Sequence, residues 1–457
     1  MSNGSVVVAG AGLAGLSAAV RLAAAGEKVI LLEASKKGGG RAYSFPCYFS
    51  GTTEEPSILD NGQHIMLGCY NETFKFLKLV GTFELLKIQN RMEVLMKDRL
   101  GNQFTLRSGN LPYPFDLLQA LLGFNYLSLK QKLKAIFFIL KLRLTGTGRL
   151  RNTTVSDWLK SSGQTEELFK GIWDILCTGA LNSPADKASA GIFADILKVI
   201  FLQGSGNSRI VIPGSDLSAI FVDGAVNFIL ARGGEARFSE PLESVQITGG
   251  VVSSVTTRQG KIDSPDAVIL AIPAYSLKRI TGLEGIIPGV ENFDMDYSSI
   301  TSFHLRVKDF KLPSDFVALI DSPVQWVFEH DGYLSTVTSA SSDWDSLKEE
   351  DIVALIKSEL KTYLGLTESN ILSHKMIKEK RATFICGGEN LKHRPPTKTK
   401  IKNLFIAGDW TDTSLPATIE GAVKSGHKAA DCVINQLKIN ERQASWAQSP
   451  TQPPPEH

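Results

Sequence analysis

Cysteine is scarce in this chain, and what there is does not make a framework. Cys47, Cys69, Cys177, Cys386 and Cys432 are odd in number and include no Cys-x-x-Cys pair. The usual signs of a zinc site or a disulfide scaffold are therefore missing, and a reducing compartment fits best. An excess of charge of one sign is missing too. The 49 basic and 47 acidic residues leave a formal charge of +2, so nothing calls for a nucleic-acid partner. The apolar run over residues 6–20 ends at Arg21 after fifteen residues and has no Lys or Arg before it. A membrane span needs about 20 apolar residues, and a secretory signal needs a basic start. The expected location is cytoplasmic.

What the chain has is length, glycine and a patterned N-terminus. Its 457 residues, 43% of them hydrophobic, leave room for two or three domains and a deep pocket. Residues 5–9 read as a buried parallel strand. A turn follows, Gly10-Ala11-Gly12-Leu13-Ala14-Gly15, then a helix of small residues closed by Gly26, then a second strand over 28–33. In such a βαβ unit each glycine has a task. The first permits the tight turn, the second lets backbone approach a pyrophosphate, and the third lets helix and strand pack closely. The helix N-terminus offers free N–H groups to the phosphates. Glu33 ends the second strand eighteen residues after Gly15, where a carboxylate would accept from the adenosine ribose hydroxyls. An adenine dinucleotide is the expected ligand. Gly39-Gly40-Arg41 shortly afterwards, and Gly408-Asp409 after a buried strand near the C-terminus, suit the long FAD better than NAD.

Further along, residues 110–205 read as helical, and 117–144 are especially apolar. Residues 235–272 return to strands, and alternation over 296–385 predicts an antiparallel sheet. Residues 403–407 read as another buried strand, with a helix over about 419–437. These patterns predict a discontinuous FAD domain made of 1–72, 212–285 and 395–440. A substrate domain takes 73–211 and 286–394, and an irregular tail 441–457, with four prolines, closes the chain.

The glycine fingerprint, Gly39-Gly40-Arg41-Ala42 and Gly408-Asp409 with Glu420-Gly421-Ala422 resemble the amine oxidase and carotenoid desaturase superfamily of flavoproteins. Leu59-Asp60-Asn61-Gly62-Gln63-His64, with Leu67-Gly68-Cys69-Tyr70, is similar to one branch of it, the squalene-associated FAD-dependent desaturases or hydroxysqualene dehydroxylases. Ala180-Leu181-Asn182-Ser183-Pro184, Asp216-Leu217-Ser218-Ala219 and the run from Trp410 to Thr418 agree with that branch. The match spans about residues 5–435. It implies an α/β fold, with a Rossmann-like FAD domain of the glutathione reductase type and an inserted α+β substrate domain. It also implies an FAD site made from Gly10, Gly12, Leu13, Ala14, Gly15, Glu33, Ala34, Gly40, Arg41, Val245, Gly408, Asp409, Thr418, Ile419 and Gly421.

The resemblance further implies a reductive dehydroxylation of a C30 isoprenoid alcohol, hydroxysqualene, to squalene in bacterial squalene and hopanoid synthesis. Such a step needs an acid for the leaving hydroxide, reduced flavin as hydride donor, and a reductant or reductase to supply it. Asp60 and His64 are the candidate acids. Their even spacing puts them on one face of an extended stretch, and the competing reading makes 60–62 a turn that orders the loop beside the flavin. His304 reads as a core histidine, Trp326 and Phe328 as core or channel, and Arg381 and Arg394 as surface ion pairs. The 117–144 region, edged by Lys130, Lys132, Lys134, Lys141 and Arg143, stands open between a core helix and a peripheral contact with the inner face of the cell membrane. A carotenoid desaturase is the runner-up. An amine oxidase would bring an aromatic pair near the flavin and a water-holding lysine, neither recognisable here, and a non-catalytic flavin carrier would need a cofactor site without a usable pocket.

Overall fold

A parallel sheet in the order 235–238, 29–33, 6–9, 267–270, 404–406 forms the base of the molecule. The computed structural model describes residues 4–49, 56–287 and 295–447. Val6–Ala9 and Ala267–Leu270 are buried throughout, which accounts for their unbroken apolar sequence. The helix Leu13–Ala24 covers this sheet and packs on the long final helix, Ile419–Ala447. Ser17 Oγ donates to the Val423 carbonyl at 3.3 Å, and Arg21 pairs with Asp431 at 2.6 Å. A separate three-stranded meander, Leu242–Thr248, Val251–Thr257 and Gly260–Asp263, lies between the 235–238 and 267–270 strands in sequence.

The second large sheet has seven strands, in the order 371–384, 297–307, 333–338, 326–330, 316–319, 93–97, 103–107. It is antiparallel except where Phe316–Leu319 runs parallel to Glu93–Lys97. The last two strands come from a stretch that the sequence pattern left without an element. One face of this sheet packs Phe303, Leu305, Val327 and Leu334 beneath the amphipathic helix Glu349–Leu364. The opposite face belongs to the largest apolar cluster, shared with helices of the 115–202 region.

Two expectations need correction. Residues 441–447 do not belong to an irregular tail: they extend the final helix, because no proline interrupts the chain before Pro450. Residues 448–457 lie outside the described residues. The apolar 117–144 region is two helices, Phe115–Gly123 and Leu129–Leu142, and Ser128 caps the second through a capping box with Gln131. Lys132 is not on a charged rim. It is buried, and its Nζ donates to the Leu122 carbonyl at 2.6 Å, at the end of the first helix. No helix among the described residues is long and apolar enough to cross a membrane.

Candidate functional site

The dinucleotide turn is built from backbone before any side chain enters. Gly10 N donates to the Leu32 carbonyl at 2.7 Å, tying the turn to the neighbouring strand. A Cβ on Gly15 would lie 1.8 Å from the Gly10 carbonyl oxygen, so only glycine lets the helix start this close to the strand. Leu13 and Ala14 are buried in the first turn of the helix. Around Gly12 the situation is reversed. A Cβ there would meet only the Gly40 Cα, at 3.9 Å, leaving a side-chain-free cradle beneath the helix N-terminus. Glu33 Oε2 accepts from Ala11 N at 2.7 Å and Oε1 from Ser35 N at 2.9 Å. Its carboxylate thus holds the turn and keeps lone pairs for further donors such as ribose hydroxyls. Ala34 is exposed at the end of the same strand.

Arg41 joins the two ends of the chain. Its Nη2 meets Asp409 Oδ2 at 2.7 Å, and its Nη1 donates to the Ala382 carbonyl at 2.6 Å. Asp409 is buried, while the Arg41 side chain is 41% exposed and presents charge beside the Gly40 turn. Gly408 N donates to Ser425 Oγ at 2.8 Å. The helix that follows is capped by Thr418, whose Oγ1 accepts from Gly421 N at 3.1 Å, with Ile419 as its first residue. Glu420 points the other way. Its carboxylate accepts from Glu72 N, Thr73 N and Thr73 Oγ1, all within 2.9 Å, and so caps the helix Asn71–Val80.

Arg394 was expected at the surface in an ion pair, and the structure places it in the interior. Its guanidinium donates to the carbonyls of Leu415, Asp409 and Thr411 and to Thr413 Oγ1. It therefore ties together the loop that carries Asp409 and Thr418. Nothing in the local sequence marks an arginine that serves carbonyls rather than carboxylates. Arg381 instead stacks over Tyr275, 4.5 Å from the ring centroid.

The segment after Ser57–Asp60 does not stay extended. Gly62 takes a φ of +87°, so the even spacing of Asp60 and His64 does not put them on one face. Asp60 is buried and accepts at one oxygen from Ser44 Oγ at 2.6 Å and Leu217 N at 3.1 Å. Burial pushes its carboxyl up, and these two bonds oppose the shift. It ties three segments together, and Asn61 adds a bond from its side-chain amide to the Arg41 carbonyl at 3.1 Å. His64 lies within reach of the Arg41 charge, and burial together with that charge holds its pKa down to about 4. A neutral imidazole at working pH is a hydrogen-bond donor rather than a strong acid.

Val245 sits in the main apolar cluster with Leu32 and Val268, and its N–H already donates to the Thr281 carbonyl at 2.9 Å. Asp174 was not singled out by the sequence. It follows a π-helical turn, Phe169–Trp173, among Ile172 and Ile175, and burial with the nearby Asp321 raises its pKa to about 6. A lone acid inside the apolar run from Gly171 to Cys177 was the available signal.

The Gly12 cradle, the helix N-terminus above it, and the Arg41–Asp409 pair suit an extended dinucleotide with a charged middle and a second contact region far along the chain. The comparisons agree. A family model described as flavin containing amine oxidoreductase matches residues 13–434. Hydroxysqualene dehydroxylase of Rhodopseudomonas palustris is 30% identical over 94% of this chain and 98% of its own. A 15-cis-phytoene desaturase of Glycine max is 24% identical over 95% of this chain and 80% of its own. Among solved structures, an oxidoreductase from Methanosarcina mazei superposes with a TM-score of 0.72 at 17% identity, covering 93% of this chain and 100% of the other.

Proposed function

The chain belongs to the flavin containing amine oxidoreductase family and is an FAD-dependent oxidoreductase, and on that premise we propose that it removes the hydroxyl of hydroxysqualene to give squalene. The observation that carries this reading is the similarity to hydroxysqualene dehydroxylases, which runs through nearly the whole of both chains. Phytoene desaturases match at lower identity, 24% for that of Glycine max against 30%, so carotenoid desaturation is the less favoured alternative.

FAD in its reduced form would supply the hydride when bound, and the hydroxyl would leave as water, so that alcohol and reduced flavin give squalene, water and oxidised flavin. The chain's own residues hold and orient. The Gly10–Gly15 turn and the N–H groups at 13–15 would receive the pyrophosphate, and Glu33, which fixes Ala11, would hold the ribose. Arg41, kept in place by Asp409, sits at the charged middle, and Arg394 fixes the loop leading to Thr418 and Gly421. The N–H groups at the start of the 419–447 helix would stabilise negative charge on a flavin held there. Asp60 orders the loop that presents His64, and His64 donates a hydrogen bond rather than a full proton.

The test is anaerobic incubation of the purified protein with hydroxysqualene and reduced flavin, with squalene read by mass spectrometry. Squalene formed only with reduced flavin supports the reading. No squalene, with bound flavin instead reduced by phytoene, would assign the protein to the desaturases.

We also propose a peripheral contact with the membrane in which such a C30 substrate dissolves. On the 129–142 helix, Leu129, Leu133, Phe137 and Leu140 are all exposed and lie within about 80° of one another around the axis. Leu144, just past its end, is 91% exposed. Lys130, Lys134, Lys141 and Arg143 flank this stripe, the arrangement of a helix that lies in an anionic interface. Phe137→Glu should abolish sedimentation with anionic vesicles and leave neutral-detergent activity unchanged. Equal sedimentation of wild type and variant would remove the stripe from the membrane contact.

A further inference from the structure

The face of the seven-stranded sheet that is turned away from the 349–364 helix is apolar across most of its width, where it joins the largest apolar cluster, and polar in one corner. Register places its side chains in rows. One row runs His304, Ser335, Phe328, Phe316, and the next runs Ser302, Val337, Trp326, Ala318, Met96. Strand alternation sets all of these opposite the face under the 349–364 helix, to which Phe303, Leu305, Leu334 and Val327 belong. Tyr333 and His330 pair on the two adjoining strands, and their rings stack at 4.4 Å. The polar corner therefore consists of Ser302, His304, Ser335, Tyr333 and His330. It lies under the 57–64 segment: Tyr333 Oη donates to the Ile58 carbonyl at 3.3 Å, and a Cβ on Gly62 would stand 3.3 Å from Ser302 Oγ. The same segment holds on to Arg41 through Asn61.

Within this corner His304 is fully buried, yet only one of its nitrogens is used. Nδ1 lies 3.1 Å from Ser335 Oγ, and Nε2 has no partner among the described residues. Ser335 Oγ also accepts from Gln63 Nε2 at 3.4 Å, which leaves its own hydrogen to donate to His304 Nδ1. That assignment puts the ring hydrogen on Nε2, as a buried donor. An unpaired donor at this depth is costly unless a ligand oxygen meets it. Burial holds His304 far below the ordinary histidine range, at about 3, so it is neutral at working pH.

We propose that His304 Nε2–H holds the hydroxyl oxygen of the substrate, with Ser335 and Gln63 fixing its tautomer and the Phe316–Phe328–Trp326 surface taking the hydrocarbon. The inference rests on the proposed dehydroxylation and deepens it. A neutral donor at the polar corner of an apolar face recognises a hydrocarbon that carries a hydroxyl and has no use for the bare hydrocarbon. It thus favours substrate over product.

With the flavin oxidised, hydroxysqualene binds without turnover, so its affinity and that of squalene can be compared at equilibrium through perturbation of the bound-flavin absorbance. Wild type should prefer hydroxysqualene by about 5- to 10-fold, the size of one buried neutral hydrogen bond. His304→Phe should bring the ratio near one and leave squalene affinity within about twofold. Ser335→Ala, a milder change that keeps the fold, should lower the ratio part way. A preference retained in both variants overturns the proposal. If His304→Phe fails to bind FAD, the Ser335→Ala ratio decides alone, and an unchanged ratio counts against it. Wild type making squalene from hydroxysqualene with reduced flavin, alongside unchanged ratios, would sink this assignment and leave the dehydroxylation standing. No squalene from wild type would instead remove the premise.

Discussion

The parallel sheet beside the dinucleotide turn and the seven-stranded sheet handle buried polar groups in opposite ways. Near the turn, Glu33, Asp409 and Glu420 each have partners within 3 Å, drawn from segments as distant as Asn71–Val80 and the 408–418 loop. Across the seven-stranded sheet, His304 and His330 keep Nε2 atoms without partners, and His64 does so in the segment above it. Carboxylates satisfied in this way fix one geometry, as a cofactor that stays bound requires. Unpaired ring nitrogens leave more than one arrangement open. The first region ties its buried carboxylates across distant segments, and the second leaves its buried imidazoles half-used.

Several changes would break or sharpen this contrast. The largest effect belongs to Gly15→Val, which forces a side chain into the 1.8 Å approach to the Gly10 carbonyl. Bound FAD per chain, read from the ratio of flavin to protein absorbance, should drop at least tenfold. Full flavin content would mean the turn is not the binding element. Acid comes next. Burial lowers His64 and His330 to about 4 and His304 to about 3. Unfolded chains take up protons at these positions below about pH 6.5, while the folded chain does not. Stability is therefore fully present above that pH and is lost as pH falls toward 4, by up to roughly 1.4 kcal/mol per pH unit for each histidine. Hydrogen exchange at pH 5 should show the 297–338 strands opening before the 6–33 unit. Simultaneous opening would erase the contrast.

A smaller effect of opposite sign belongs to Asp174. Its carboxyl is raised to about 6, so the folded chain disfavours the charged form and loses stability as pH rises from about 4 to 6. Asp174→Asn should stabilise the protein by about 1–3 kcal/mol at pH 7 and by nothing at pH 3.5, as read from denaturant midpoints. Equal effects at both pH values would mean burial is not the cause. The smallest change is Thr418→Ala, which removes a helix cap and should cost about 1 kcal/mol. Its melting temperature should fall by about 2 °C or less, and a larger fall would mean Thr418 does more than cap.

The sequence made the dinucleotide turn legible because each of its constraints is local. Gly10, Gly12 and Gly15 answer to backbone within one βαβ unit, and the flanking strands are apolar without interruption because both faces are covered. Alternation also revealed the 297–307 strand correctly. The partnership of that sheet with Glu93–Lys97 was hidden, since a parallel pairing over two hundred residues leaves no local trace. Arg394 was misread for a related reason. Its charge suggested solvent, and its carbonyl partners are assembled only by the fold. Asp60 and His64 were placed on one face by counting residues, and Gly62 in the left-handed region broke the count.

The order of strands in the parallel sheet also bears on how the protein comes into being. Its members lie near residues 6, 29, 235, 267 and 404, and the last, Leu404–Ile406, pairs with Ala267–Leu270. The loop that supplies Asp409 to Arg41 comes later still. A ribosome must therefore deliver almost the whole chain before the cofactor cradle can close. Contacts of such long sequence separation form slowly, and the early βαβ unit waits with an unpaired strand edge meanwhile. Loading with FAD on this account follows synthesis of the loop that carries Asp409. Flavin supply during expression should govern how much of the finished protein escapes aggregation.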